Sequence, residues 1–169
     1  MEGMKRLRQL SVIEKMYLGI LLVIFGGIVV HAPVSVALGT LAPGLELVAK
    51  LWKELLMLVA AVLIGLILHD KHRLRLLFEP PLIAIGLYAA LHIILLPVFW
   101  QGLAPSVAGL MIDLRYLVFF GLVYLALRLY PTSRRLFIKL GVIGALVVLI
   151  FAVLQVFVLP IDILKYIGY

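Results

Sequence analysis

Apolar positions in this chain come in long runs broken by short charged clusters, with neither the strict alternation of strands nor the single stripe of a soluble amphipathic helix. A helix needs about 20 apolar residues to cross roughly 30 Å of hydrocarbon at 1.5 Å per residue. Five runs approach that length: 17–30 or a little beyond, 51–68, 82–100, 107–127 and 136–158. The first is interrupted in "VVHAPVSVALG", where Pro33 is expected to kink or end the helix. "EPPL" at 79–82 reads as a helix start, because proline suits a first turn and is poor later. The pattern predicts an all-α polytopic membrane helical bundle of about five transmembrane helices, forming one domain over 1–169. Small residues four apart, Ala61 with Gly65 and Gly141 with Ala145, are positions where helices could approach closely.

The positive charges orient the bundle. Eleven of them (Lys5, Arg6, Arg8, Lys15, Lys71, Arg73, Arg75, Arg128, Arg134, Arg135 and Lys139) fall on one side of the predicted spans. Only Lys50, Lys53, Arg115 and Lys165 fall on the other, so the amino terminus is expected in the cytoplasm and the carboxyl terminus outside. Composition agrees with membrane insertion. The chain is 66% hydrophobic and 14% charged, with mean hydropathy +1.26, against about a quarter charged in a soluble domain. Its net charge of +7 follows membrane topology rather than forming a nucleic-acid-binding face, so no nucleic-acid partner is expected. The absence of cysteine removes disulfides, thiolate metal sites and cysteine nucleophiles together. "MKRLRQL" followed by an apolar stretch and the small residues of "SVA" at 35–37 also fits a cleaved signal peptide, but an uncleaved first span agrees better with the alternating charges.

Charges inside the spans need partners, because each costs a few kcal/mol in hydrocarbon. In "PGLELVAKLWKELL", Glu46, Lys50, Lys53 and Glu54 recur at helical spacing, with Leu45, Val48, Trp52 and Leu55 largely opposite. This reads as an interfacial amphipathic helix running into the second span, with Trp52 as an interface anchor; a merely solvated face laced by i,i+4 ion pairs is the plainer alternative. Counting up from His69 places Glu54 about 22 Å above the cytoplasmic boundary, and counting from Arg128 places Arg115 about 20 Å above it. Opposite charges therefore share one depth. Asp113 and Arg115, two apart on a helix, project about 200° from each other and cannot neutralise one another. The expected arrangement pairs Arg115 with Glu54 and Asp113 with Lys53 or the aqueous edge, with Gln155 at a similar height, around a cavity open to the exterior. In the alternative, Arg115 snorkels outward and Asp113 caps the helix.

A planar guanidinium beneath an external cavity suits a phosphate or pyrophosphate. His92 falls near mid-bilayer, as a packing histidine or a relay, and His31 lies near the external interface, where it could join the polar site, although Pro33 offers a simpler loop explanation. "HDKHRL" at 69–74 has an H-x-x-H spacing among cations that would repel a metal. No nucleophile with an adjacent base, glycine-rich phosphate loop or carboxylate cluster is present, so no catalytic residue, metal ligand or cofactor is assigned.

Taken in order, "HAPVSV" (31–36), "KLWKELLML" (50–58), "GLMIDLRYLVFF" (109–120) and "LQVFVLPIDILKYIGY" (154–169) resemble the amino-terminal membrane region of the O-antigen ligase family, the glycan ligases and polymerases of bacterial envelopes. The resemblance spans nearly all of this chain but less than half of a typical family member. It implies the inner (plasma) membrane of a bacterium, a polyprenyl-pyrophosphate-linked glycan donor, and transfer on the external face without a nucleotide sugar or metal. The family's large external loop, with its donor-acting arginines and histidine, would follow Tyr169, so none of those roles passes to a residue here. A missing carboxyl-terminal half or a partner membrane protein is then expected to complete the activity. A non-enzymatic membrane scaffold or assembly subunit is the competing reading; a transporter would need a polar path through the whole bilayer.

Overall fold

Ser11 and Glu14 open the first helix with a reciprocal cap. The Ser11 amide donates to Glu14 Oε2 at 2.7 Å and the Glu14 amide to Ser11 Oγ at 3.3 Å, which satisfies two of the amide groups that a helix start leaves without intrahelical partners. The computed structural model describes residues 10–41, 44, 46–100 and 102–158, with the side chains of 32, 33, 35–41 and 46–50 outside that description. Five helices follow one another: α1 (Val12–Leu41), α2 (Glu46–Asp70), α3 (Pro80–Leu95), α4 (Leu103–Leu129) and α5 (Arg134–Phe157). Short 3₁₀ turns at Leu74–Phe78 and Pro131–Ser133 link α2 to α3 and α4 to α5. There is no strand among the described residues. The chain is an all-α helical bundle, and four stretches, Val12–His31, Leu51–Asp70, Leu103–Leu129 and Pro131–Phe157, are long and apolar enough to cross a membrane.

Two boundaries differ from those expected. Helix α1 continues through Pro33 to Leu41 instead of ending there. A proline inside a helix removes one backbone hydrogen bond and can be absorbed as a bend rather than a stop. The third apolar helix has 16 residues and stops at Leu95, short of the 82–100 expected. Pro97 follows immediately, and the chain turns with the Phe99 amide bonded to the Leu95 carbonyl at 3.1 Å. The segment from Glu46 runs into the second span as expected, as one unbroken helix, α2. The anticipated contacts of Glu46 and Lys50 fall outside the described side chains, as do the residues of the 5–8 basic cluster and Lys165.

Burial is concentrated at one end of the bundle. Tyr17, Leu21 and Ile24 of α1 meet Ala60, Ile64, Ile67 and Leu68 of α2 and Leu122, Leu125 and Ala126 of α4, all buried, at the three-and-four spacing of a helix seam. Helix α5 lies against α1, with Phe137 edge-on to Phe25 at 6.0 Å and 72°. Their backbones come close at Gly144, where a Cβ would lie 2.9 Å from Val29 Cγ2. Gly65 has open space around it and Ala61 is exposed, so that small-residue pair makes no helix contact, whereas Gly141 faces Phe25. Most of α5 and the outward faces of the other helices remain apolar and exposed, as lipid-facing surfaces must be.

The same end carries two polar clamps. Glu14, 8% exposed in its side chain, accepts from Tyr130 Oη at 2.8 Å and pairs with Lys71 Nζ at 2.5 Å. Burial, and then Glu14, push the Tyr130 hydroxyl well above its ordinary pKa. Glu79 accepts from Nε and one Nη of the Arg128 guanidinium and from the Tyr124 hydroxyl. Tyr17 Oη donates to the Leu122 carbonyl at 2.5 Å. The start of α1, the α2–α3 connection and the end of α4 are thus tied together, which brings Lys71 and Arg128, two of the predicted same-side charges, to one end.

Candidate functional site

The opposite end is packed more loosely and holds a cluster drawn from three helices. His31 comes from α1, Trp52, Lys53 and Glu54 from α2, and Arg115 and Tyr116 from α4. Antiparallel α1 and α2 set their facing ends side by side, so residues 21 and 22 apart in sequence meet. Trp52 Nε1 lies 3.2 Å from His31 Nδ1 and Lys53 Nζ lies 2.7 Å from His31 Nε2. A neutral imidazole has one lone pair, so it accepts from one of these two donors at a time. Gly27 makes room for the indole: a Cβ there would sit 2.6 Å from the Trp52 ring.

Arg115 stacks on its neighbour. Its guanidinium lies 4.7 Å from the Tyr116 ring centre, and one Nη donates to Tyr116 Oη at 3.1 Å. Its Nε is buried without a hydrogen-bond partner, and so is Glu54 Oε2. Lys53 approaches Glu54 Oε1 at 4.0 Å, with both side chains about five-sixths buried. An orphaned buried polar atom costs roughly 1–3 kcal/mol, and more on a charged group, so such atoms mark places where a further partner fits.

Two cavities meet at Arg115. One, of about 220 Å³, is lined by His31, Lys53, Met57, Arg115, Tyr116 and Phe119 among others. The second, of about 400 Å³, runs between α2 and α4 along Leu55, Leu58, Leu114 and Val118, with Glu54 and Arg115 in its wall. The first is cationic in character, with Lys53, Arg115 and a titratable His31; the second is almost wholly apolar. Together they fit a ligand with an anionic head and an oily tail, since the guanidinium donates to oxygens from one cavity while the other continues along the helix faces.

The expected site residues are distributed unevenly. Glu54 and Arg115 do line one cavity, but no ion pair joins them within 4.0 Å, and each keeps an orphaned atom. Lys53 turns to His31 and Glu54 rather than to Asp113. Asp113 sits eleven residues into α4, too far in to cap it, and faces α3, where its Oδ2 lies 3.8 Å from His92 Nε2. The reason is the helical period itself: with Arg115 turned toward α1 and α2, the residue two before it turns toward α3. Gln155 is half-buried near the end of α5 and lines neither cavity. His31 belongs to a helix rather than to a loop and stands at the centre of the cluster. Its place near the outer interface allowed it to be read from sequence as a possible member of the polar site, whereas nothing in the sequence pointed to Tyr116. Among the described residues no three His, Asp or Glu side chains come together as a metal site. No family model matches this chain, and no curated protein or solved structure matches it either.

Proposed function

We propose that this chain is a membrane module that binds the diphosphate of a polyprenyl-linked glycan on the external side of a bacterial inner membrane, as the amino-terminal part of an O-antigen ligase-like assembly. Support comes from the orphaned Arg115 Nε, held between a cationic pocket and an apolar groove. In this reading Arg115 and Lys53 take the diphosphate oxygens, His31 holds Lys53 in place, and the prenyl tail leaves along the α2–α4 groove toward lipid. Glu54 limits the net positive charge of the site. The chain supplies scaffold and part of the binding site, with group transfer performed by membrane segments or a partner outside it.

The test is a titration of the purified full chain in micelles with undecaprenyl pyrophosphate and, separately, undecaprenyl monophosphate. Trp52 emission in a Trp100→Phe background reports binding, because the chain has two tryptophans and Trp52 lies against His31. The diphosphate should bind at least about tenfold more tightly than the monophosphate, and Arg115→Gln should weaken it by about 10- to 100-fold, the value of one or two charge-assisted hydrogen bonds. Equal affinity for the two lipids, or for wild type and Arg115→Gln, would leave the competing reading, a membrane scaffold with no lipid-diphosphate ligand.

A further inference from the structure

Among the cavities that the reading above leaves unused, one polar cavity faces away from the Arg115 cluster. It lies between α3 and α4, measures about 380 Å³, and is walled by Leu95, Leu96, Phe99, Pro105 and Leu110 around His92, Ser106 and Asp113. Helix α3 ends at Leu95, which puts His92 in its last turn, beside the turning segment that leads to α4. Asp113 and Arg115 leave α4 in nearly opposite directions, so this cavity and the Arg115 cluster occupy different faces of one helix.

The hydrogen-bond directions at His92 are determinate. Nδ1 lies 3.1 Å from the Tyr88 carbonyl oxygen, and the Tyr88 ring packs on the imidazole at 4.2 Å between centres. A carbonyl oxygen only accepts, so Nδ1 carries the hydrogen. In the neutral ring Nε2 therefore presents a lone pair, 3.8 Å from Asp113 Oδ2. With the ring in that neutral form, the Nε2 lone pair and the Asp113 carboxylate are two acceptors that converge with no donor between them. Asp113 is 52% exposed in its side chain, and no lysine or arginine among the described residues lies within 4.0 Å of it. A carboxylate in such apolar walls calls for a cation, and this cation must bring at least two N–H or O–H donors.

We propose that this cavity binds a primary ammonium, that of an ethanolamine phospholipid head group. An ammonium brings three donors and a full positive charge, matching the carboxylate and the imidazole lone pair together. The apolar walls suit the carbon chain of a lipid, and the site lies beside the last turn of α3 and the turning segment that follows it. A choline head group has the charge but no N–H, so it satisfies neither acceptor. The lipid bridges α3 to α4, and through Asp113 steadies the helix that also carries Arg115. The site stands or fails independently of the diphosphate proposal, since it uses other residues and another face of α4.

The experiment reconstitutes the full chain in nanodiscs of phosphatidylcholine containing phosphatidylethanolamine at one part in ten, then counts the lipids that stay bound by native mass spectrometry. Ethanolamine lipid should be enriched at least about tenfold over its bulk ratio. Enrichment should fall stepwise when the head group is N-methylated once, twice and three times, a series that leaves the protein unaltered. Asp113→Asn and His92→Phe should each abolish the enrichment while leaving helix content and Trp52 emission as in wild type. Retention at the bulk ratio, indifference to N-methylation, or enrichment that survives Asp113→Asn would each overturn the proposal. So would an imidazolium signal for His92 at neutral pH in ¹⁵N spectra whether or not ethanolamine lipid is present, because a proton would then already fill the place assigned to the ammonium.

Discussion

Replacing Glu14 by alanine tests whether the clamp at the tightly packed end holds the bundle together. Glu14 is nearly enclosed and accepts from the Ser11 amide, the Tyr130 hydroxyl and Lys71. Losing the cap contact costs about 1 kcal/mol. Leaving the buried Tyr130 hydroxyl without an acceptor costs about 1–3 kcal/mol more. Lys71 is 45% exposed, so its ion pair is discounted to about 0.5 kcal/mol. The sum is about 3 kcal/mol, with an upper bound near 5. Tyr130→Phe alone should cost about 1.5 kcal/mol, as a hydrogen bond to a charged group. Because both changes remove the same bond, the double variant should fall short of additivity by about 1–2 kcal/mol. Reversible unfolding of the purified chain in mixed micelles, followed by far-ultraviolet circular dichroism, measures all three. A cost below about 1 kcal/mol for Glu14→Ala, or single effects that add to within about 0.5 kcal/mol, would refute the reasoning.

Three further outcomes follow from the packing and the charges. Gly144→Ala should destabilise by about 1–3 kcal/mol through overpacking, since the new Cβ would meet Val29 at 2.9 Å, whereas Gly141→Ala, with 3.6 Å to Phe25, should be nearly neutral in the same unfolding assay. The Arg128 guanidinium, and then the Tyr124 hydroxyl, hold the Glu79 carboxyl below its ordinary value of 4.5; a depressed folded value means its stabilisation is complete above that pH and is lost as pH falls through the lower one. The melting-temperature gap between wild type and Glu79→Gln should therefore be constant from neutral pH down to about 5 and close in more acidic buffer. For topology, the chain is free of cysteine, so single cysteines at positions 73 and 99 can be labelled in cells with a reagent that does not cross membranes; the charge pattern predicts reaction at 99 from outside and at 73 only after permeabilisation.

Element type was readable from run length alone, and the ends were not. The runs at 51–68 and 107–127 fall wholly within α2 and α4, and Pro80 and Pro81 open α3 as "EPPL" indicates. Pro33 and Pro97 look alike locally, yet the chain stays helical through the first and turns at the second. That choice depends on what surrounds the freed backbone groups, which local sequence does not carry. The Ser11-x-x-Glu14 cap was plain in the sequence and would have moved the first boundary to its observed place. At the site, depth arithmetic brought Glu54 and Arg115 to one height, and they line one cavity. Rotation about the helix axis was the missing coordinate: height says which residues are level, while azimuth decides that Lys53 meets His31 and Asp113 meets His92.

The uneven burial along the bundle separates two jobs that many proteins must share among the same residues. Changes near Tyr17, Ala60 and Leu125 will be felt as loss of the fold, whereas changes around Arg115 or His92, under the two proposals made above, alter what the molecule holds without loosening its root. Selection can therefore retune ligand preference at the open end while the closed end stays constant, and a designer could graft new specificity there on the same terms.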